Sequence, residues 1–176
     1  MPSTTYINYE EKKGFWIGEF TFEIICAFIV TAFEQITLQD KPDWYLEIFE
    51  DFDEIRKGHL QRRMVLLLED YLAFLPEREN KIIEVFELAK KLIQNEGEKI
   101  LPEKLNKMQD IKDWPQTEVE WTGPIYTDDM IHIVDIMILM LKKEWTDQDY
   151  TVVFNIKSSY ALLNRTVNSV PFAFSS

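Results

Sequence analysis

Cysteine is nearly absent from this chain: Cys26 is the only one in 176 residues. No disulfide can form within the chain, and a reducing, cytoplasmic compartment is the natural expectation. Glycine and proline total 12 residues, too few breakers for a linker or a disordered tract. Histidine occurs twice, at His59 and His132. Basic residues number 19 against 31 acidic ones, which leaves a net charge of −12. That balance argues against a nucleic-acid backbone or an anionic membrane as the partner. No apolar run is long enough to span a bilayer. The longest, Ile24 to Phe33, has ten residues and lies between Glu23 and Glu34, which reads as a core helix. The first residues lack a basic segment followed by an apolar one, so no signal peptide is expected. No G-x-S-x-G, S-x-x-K, H-E-x-x-H or phosphate-loop pattern occurs.

What is abundant is apolar and aromatic side chains, 46% and 14% of the residues. This is enough for one domain with a substantial core. The expected fold is mainly α: a single-domain bundle of five to six helices over 1–176, with 1–13 and 166–176 as loosely ordered arms. For residues 1–13 an edge strand is the other reading.

Helical periodicity covers 15–38, where Phe22, Ile25, Cys26, Ile29, Phe33 and Ile36 trace a stripe. Glu23 and Glu34 are this helix's candidates for shifted acidity. Pro42 and Gly58 bracket a second helix at about 42–56. Further helices are expected at 59–75, 77–96 behind Pro76, 102–109 behind Pro102, and 127–144 capped by Thr127. A short one is expected at 158–164. The helices 15–38 and 127–144 should pack on each other. One two-stranded element is expected to pair 118–122 with the alternating segment 150–156.

The stretch that breaks local rules is 43–54, with six carboxylates, four aromatics and no base. On a helix, Tyr45, Ile48, Phe49, Phe52 and Ile55 share one side. Asp43, Glu47, Glu50, Asp51 and Glu54 share the other. The pairs 43/47, 47/51 and 50/54 are like charges at i,i+4, each costing on the order of 0.2–0.5 kcal/mol. The 77–96 helix is charge-balanced, with Glu77–Lys81 and Glu87–Lys91 in the favourable order. Acidity in 43–54 is therefore not a uniform property of the chain, and a rule broken without local compensation marks candidate function. Arg62 and Arg63 lie within sequence reach of these acids.

Segments 14–55 and 110–149 carry net charges of −9 and −7, around a nearly balanced 56–109. Such a distribution would steer a cationic partner. The turn-rich segment 110–126 adds Trp114, Glu118, Glu120 and Trp121. The expected partner-binding set is thus Asp43, Trp44, Glu47, Glu50, Asp51 and Glu54, with Trp114, Glu118, Glu120 and Trp121, the tryptophans serving as anchors.

These features point to a small cytoplasmic inhibitor of the immunity-protein type. It would be no enzyme, need no cofactor, and block a basic toxin or nuclease by direct binding. A nucleic-acid mimic that inhibits a DNA-binding protein is a related alternative. A different class is a helical metal- or ligand-binding domain using Asp128, His132 and Asp135, which fall at i, i+4 and i+7 on one helix face. The second half of a di-iron pattern is missing, since His59 is preceded by Arg56 at the matching offset.

Overall fold

The computed structural model describes residues 4–36, 40–59, 65–110, 119–148, 150–152 and 160–162. The fold is mixed α and β, which overturns the expected helical bundle: a four-stranded mixed sheet accompanies the helices. The sheet begins at the N-terminus. Strand β1 (Thr4–Glu10) turns at Glu11-Lys12 into β2 (Lys13–Gly18), antiparallel to it. Lys12 takes a positive φ of 63° in that turn. Strand β3 (Val65–Leu67) adds in parallel to β1, and β7 (Tyr150–Thr151) in parallel to β2, giving the order β3-β1-β2-β7. Residues 4–10, read as an arm or an edge strand, are therefore paired on both sides.

The inner face of the hairpin carries Ile7, Tyr9, Phe15 and Ile17, all fully buried. The register slips between Asn8 and Glu10, an irregularity that falls at Tyr9. Gly14 is required by close approach. A Cβ there would lie 2.2 Å from the Ile7 carbonyl oxygen and 2.8 Å from the Tyr6 ring. Replacing Gly14→Ala is expected to cost about 2 kcal/mol by overpacking, read as a lower urea midpoint at unchanged m-value.

Helix α1 (Glu19–Gln35) starts where β2 ends, at Gly18. Thirteen of its 17 residues are buried, so it is the core's central rod. Its principal partners are α2 (Asp43–Arg56) and α4 (Pro76–Gln94). The last long helix, α6 (Thr127–Leu141), packs on α4 and β1, so α4 is flanked by both apolar helices that were expected to meet directly. Thr127 does not cap α6 through its side chain. Its Oγ1 donates to the carbonyls of Gly97 and Glu98 at 2.6 and 3.0 Å.

The expected helix at 59–75 is replaced, among the described residues, by β3 and a single turn, α3 (Glu69–Leu72). Two small pairings accompany the main sheet among the described residues: β4 (Lys99–Ile100) with β6 (Ile125–Tyr126), and β5 (Val119–Trp121) with β8 (Tyr160–Leu162), both antiparallel. Residues 119–121 thus pair with 160–162, in a segment read as helical, while 150–151 join the main sheet. The tail 166–176 lies outside the described residues. No described helix is long and apolar enough to cross a membrane.

Candidate functional site

Helix α2 forms where the sequence places it. Pro42 is its extended N-cap, and Gly58 follows its C-cap with a φ of 83°. Tyr45, Ile48, Phe52 and Ile55 are buried. Phe33 of α1 meets the Tyr45, Phe49 and Phe52 rings at centroid distances of 4.9, 5.8 and 6.1 Å. Rings at these separations reinforce the burial that anchors α2. The opposite side presents Asp43, Leu46, Glu47, Glu50 and Glu54, all exposed, and the four acids run in one line at i, i+4, i+7 and i+11.

That line is not uniformly open. Its C-terminal end, with the neighbouring Asp51 and Asp53, is engaged from within the chain. Asp53 pairs with Arg56 at 2.5 Å and Lys57 at 2.6 Å. Burial alone would raise Asp53, but hydrogen bonds and charge from Lys57 and Arg56 outweigh it and hold the carboxyl below its usual value. Glu54 receives His59 Nδ1 and Lys57, and both keep it ionised below the usual range. Asp51 accepts the hydroxyl of Tyr71. Burial and then this bond push the tyrosine well above its ordinary value. Among the described residues no cation lies within ion-pair distance of Asp43, Glu47 or Glu50. The open part of the stripe is therefore its N-terminal and middle portion. Arg62 and Arg63 lie outside the described residues.

The tryptophans do not behave alike. Trp44 is half-buried and roofed by Arg78, whose guanidinium carbon is 5.2 Å from the ring centre. Trp121 is 2% exposed, so it is a core side chain and no exposed anchor. It sits in β5 beside helix α5 (Pro102–Lys107). Side-chain amides stand in for a neighbouring strand there. Asn106 accepts from Trp121 N at 2.8 Å and donates to its carbonyl at 3.1 Å. Gln109 does the same for Val119, at 3.1 and 2.7 Å. Glu120, between them, is exposed. Trp114 and Glu118 lie outside the described residues. Among the described residues, the main packing partners of β5 are α5 and β8, and those of α2 are α1 and α3.

Asp128, His132 and Asp135 do not converge on a common point. Asp128 and His132 are exposed, and His132 Nε2 is 3.3 Å from the Tyr150 hydroxyl. Asp135 pairs with Lys90 of α4 at 2.5 Å, and this carboxylate raises the lysine. Among the described residues, no group of three or more His, Cys, Asp or Glu is placed to hold a metal. Cys26 is fully buried, and burial, with the nearby Glu23 charge, raises its thiol well above the normal value, the opposite of what a nucleophile needs. Glu34 is exposed on the edge of α1, whereas Glu23 is buried.

One polar cluster has no counterpart in the sequence reading. Glu79, 7% exposed near the start of α4, accepts the Tyr9 hydroxyl at 2.5 Å and the Lys143 ammonium at 3.0 Å. Phe74 packs on both of its partners, 4.8 Å from the Tyr9 ring and 5.9 Å from Lys143 Nζ. Ala73, Phe74 and Lys143 have φ values of 48°, 55° and 61°, three of the four left-handed non-glycine residues among those described. Burial, then the bond to Glu79, pushes Tyr9 far above its ordinary value. The cluster ties β1 to the start of α4 and the end of α6. Its members stand at positions 9, 79 and 143, and no spacing rule connects them.

Comparison with family models, with curated proteins and with solved structures found no match for this chain. Function must be read from the residues alone.

Proposed function

We propose that the protein is a small acidic inhibitor of the immunity-protein type, acting in the cytoplasm and blocking a basic toxin or nuclease by direct binding. The observation that carries this reading is the line Asp43–Glu47–Glu50. These carboxylates are exposed, have no counter-ion among the described residues, and stand on a helix whose other side is locked into the core. A rigid row of negative charge loses little freedom when a cationic surface meets it, and it speeds encounter by long-range attraction. Leu46, 38% exposed on the same side, supplies apolar contact between the charges.

The double variant Glu47→Lys, Glu50→Lys separates function from fold. It converts all three like-charge i,i+4 pairs of α2 into opposite-charge pairs, so the helix should gain about 1 kcal/mol. Affinity for the basic partner should fall at least about tenfold, and its salt dependence should flatten. Thermal melts and binding titrations at two ionic strengths check both. Unchanged affinity with an unchanged salt slope removes the stripe as the interface. Competition by duplex DNA distinguishes a nucleic-acid mimic from an inhibitor that does not occupy a DNA site.

A further inference from the structure

Helices α2, α4 and α5 end close together beside the middle of α1 and leave a cavity of about 420 Å³ between them. Its apolar lining is Ala27 and Phe28 of α1, Leu92 of α4 and Met108 just after α5. Its charged lining is Arg56, Lys104 and Lys107 against the single acid Glu96. On a chain of net charge −12, a cavity with this excess of cations reverses the sign of its surroundings. Each cation falls in the last turn of its own helix, where the dipole favours it.

The cations are not equally engaged. Lys104 is held by both Glu96 oxygens, at 2.6 and 2.5 Å, and forms a neutral pair. Arg56 gives its Nε–H to Asp53 at 2.5 Å, and a guanidinium has four further N–H donors. Lys107 is exposed, and among the described residues no carboxylate is within ion-pair distance of it. The volume lies within the range of small-molecule sites, which combine an apolar wall with a few convergent polar groups.

We propose that this cavity binds a small amphipathic anion, an apolar chain bearing a carboxylate or a phosphate. The chain lies along Phe28, Leu92 and Met108, and the anionic head is held by Lys107 and Arg56. The site is on α2's C-terminal end and does not depend on the acidic stripe being an interface.

The full chain is titrated calorimetrically with decanoate and decyl phosphate at low salt, below their micelle concentrations. Decanol and decylammonium serve as the uncharged and cationic counterparts. Both anions, or one of them, should bind at least about tenfold more tightly than decanol or decylammonium, and which of the two binds better separates a carboxylate site from a phosphate site. Lys107→Glu alters only an exposed side chain and should weaken the anion about tenfold with an unchanged melting curve. Ala27→Trp should fill the apolar end and abolish binding. The assignment is overturned if neither anion binds, if decanol or decylammonium binds as tightly, or if Lys107→Glu leaves the affinity of the anion where it was.

Discussion

Glu79→Ala is expected to lower the stability of the folded chain by about 3 kcal/mol, more than any change on the acidic stripe. The carboxylate is 7% exposed and accepts from both Tyr9 and Lys143. Its removal leaves the Tyr9 hydroxyl, buried in the core, without its acceptor, a desolvation cost of about 1–3 kcal/mol. The space vacated by the side chain adds a cavity cost. Lys143 is half exposed and can turn to water, so it contributes less to the loss. In a domain of this size the melting temperature should fall by roughly 10 °C. Glu79→Gln keeps an acceptor for Tyr9 and should cost about a third as much. Urea unfolding of the two variants beside Tyr9→Phe makes the comparison. Equal losses for Ala and Gln would show that charge, and not the buried hydroxyl's acceptor, sets the cost.

Three left-handed residues around one buried carboxylate explain why this cluster could not be read from the chain. Backbone strain of about 1–3 kcal/mol per residue persists only where surrounding contacts enforce it. Those contacts come from β1, α4 and the end of α6. Glu79 is a first-turn acid behind Pro76, and Lys143 lies just past the C-cap of α6. Local helix chemistry accounts for each position and does not predict that the two side chains meet.

The helices with clear punctuation were legible. Pro42 and Gly58 enclose α2, and Pro76 opens α4, so the observed Asp43–Arg56 and Pro76–Gln94 fall close to the expected 42–56 and 77–96. The strand pairings were not legible, for three separate reasons. In β2, Phe15-Trp16-Ile17 runs into α1 with only Gly18 between, and a strand followed at once by a buried helix presents one continuous apolar stretch. In β3, Val65-Leu66-Leu67 lies parallel to β1 and shows no polar alternation, as parallel strands commonly do not. It therefore merged with a helical stripe. In β5, the strand was recognised but its partner was not, because pairing over about forty residues is chosen by the whole fold.

The acidic face shows the same division. Its direction followed from periodicity. The Asp51–Tyr71 bond joins residues 20 positions apart and was invisible. The Asp53–Lys57 and Glu54–Lys57 pairs, at i,i+4 and i,i+3, were available from spacing alone, and together with the Asp51–Tyr71 bond they leave Asp43, Glu47 and Glu50 as the open charge.

Alkali should unfold this protein steeply. The hydroxyls of Tyr9, Tyr45 and Tyr71 are all shifted upward from the ordinary value of 10.0. For Tyr45 burial, with the charge of Glu84, sets a value of about 12, and among the described residues its hydroxyl has no hydrogen-bond partner. Tyr9 and Tyr71 add the bonds to Glu79 and Asp51. A tyrosine that holds its proton more tightly folded than unfolded contributes stability that is intact below the unfolded value of 10.0 and is lost as pH climbs from there through the folded value. Each group removes about 1.4 kcal/mol per pH unit in that window, so three together remove about 4 kcal/mol per unit. Lys57 and Lys90, raised by Asp53 with Glu54 and by Asp135, push in the same direction once unfolded lysines deprotonate. Against a total stability of roughly 5–15 kcal/mol, the fold should be lost within a few pH units above 10.0. Circular dichroism and tyrosinate absorbance, followed together against pH, should show these tyrosines ionising in the same cooperative step as unfolding. Tyr45→Phe removes one of the three linked groups and a buried hydroxyl without a partner, so its transition should move to higher pH. Smooth ionisation of all the tyrosines near the ordinary value, with the fold intact, would contradict the burial on which this expectation rests.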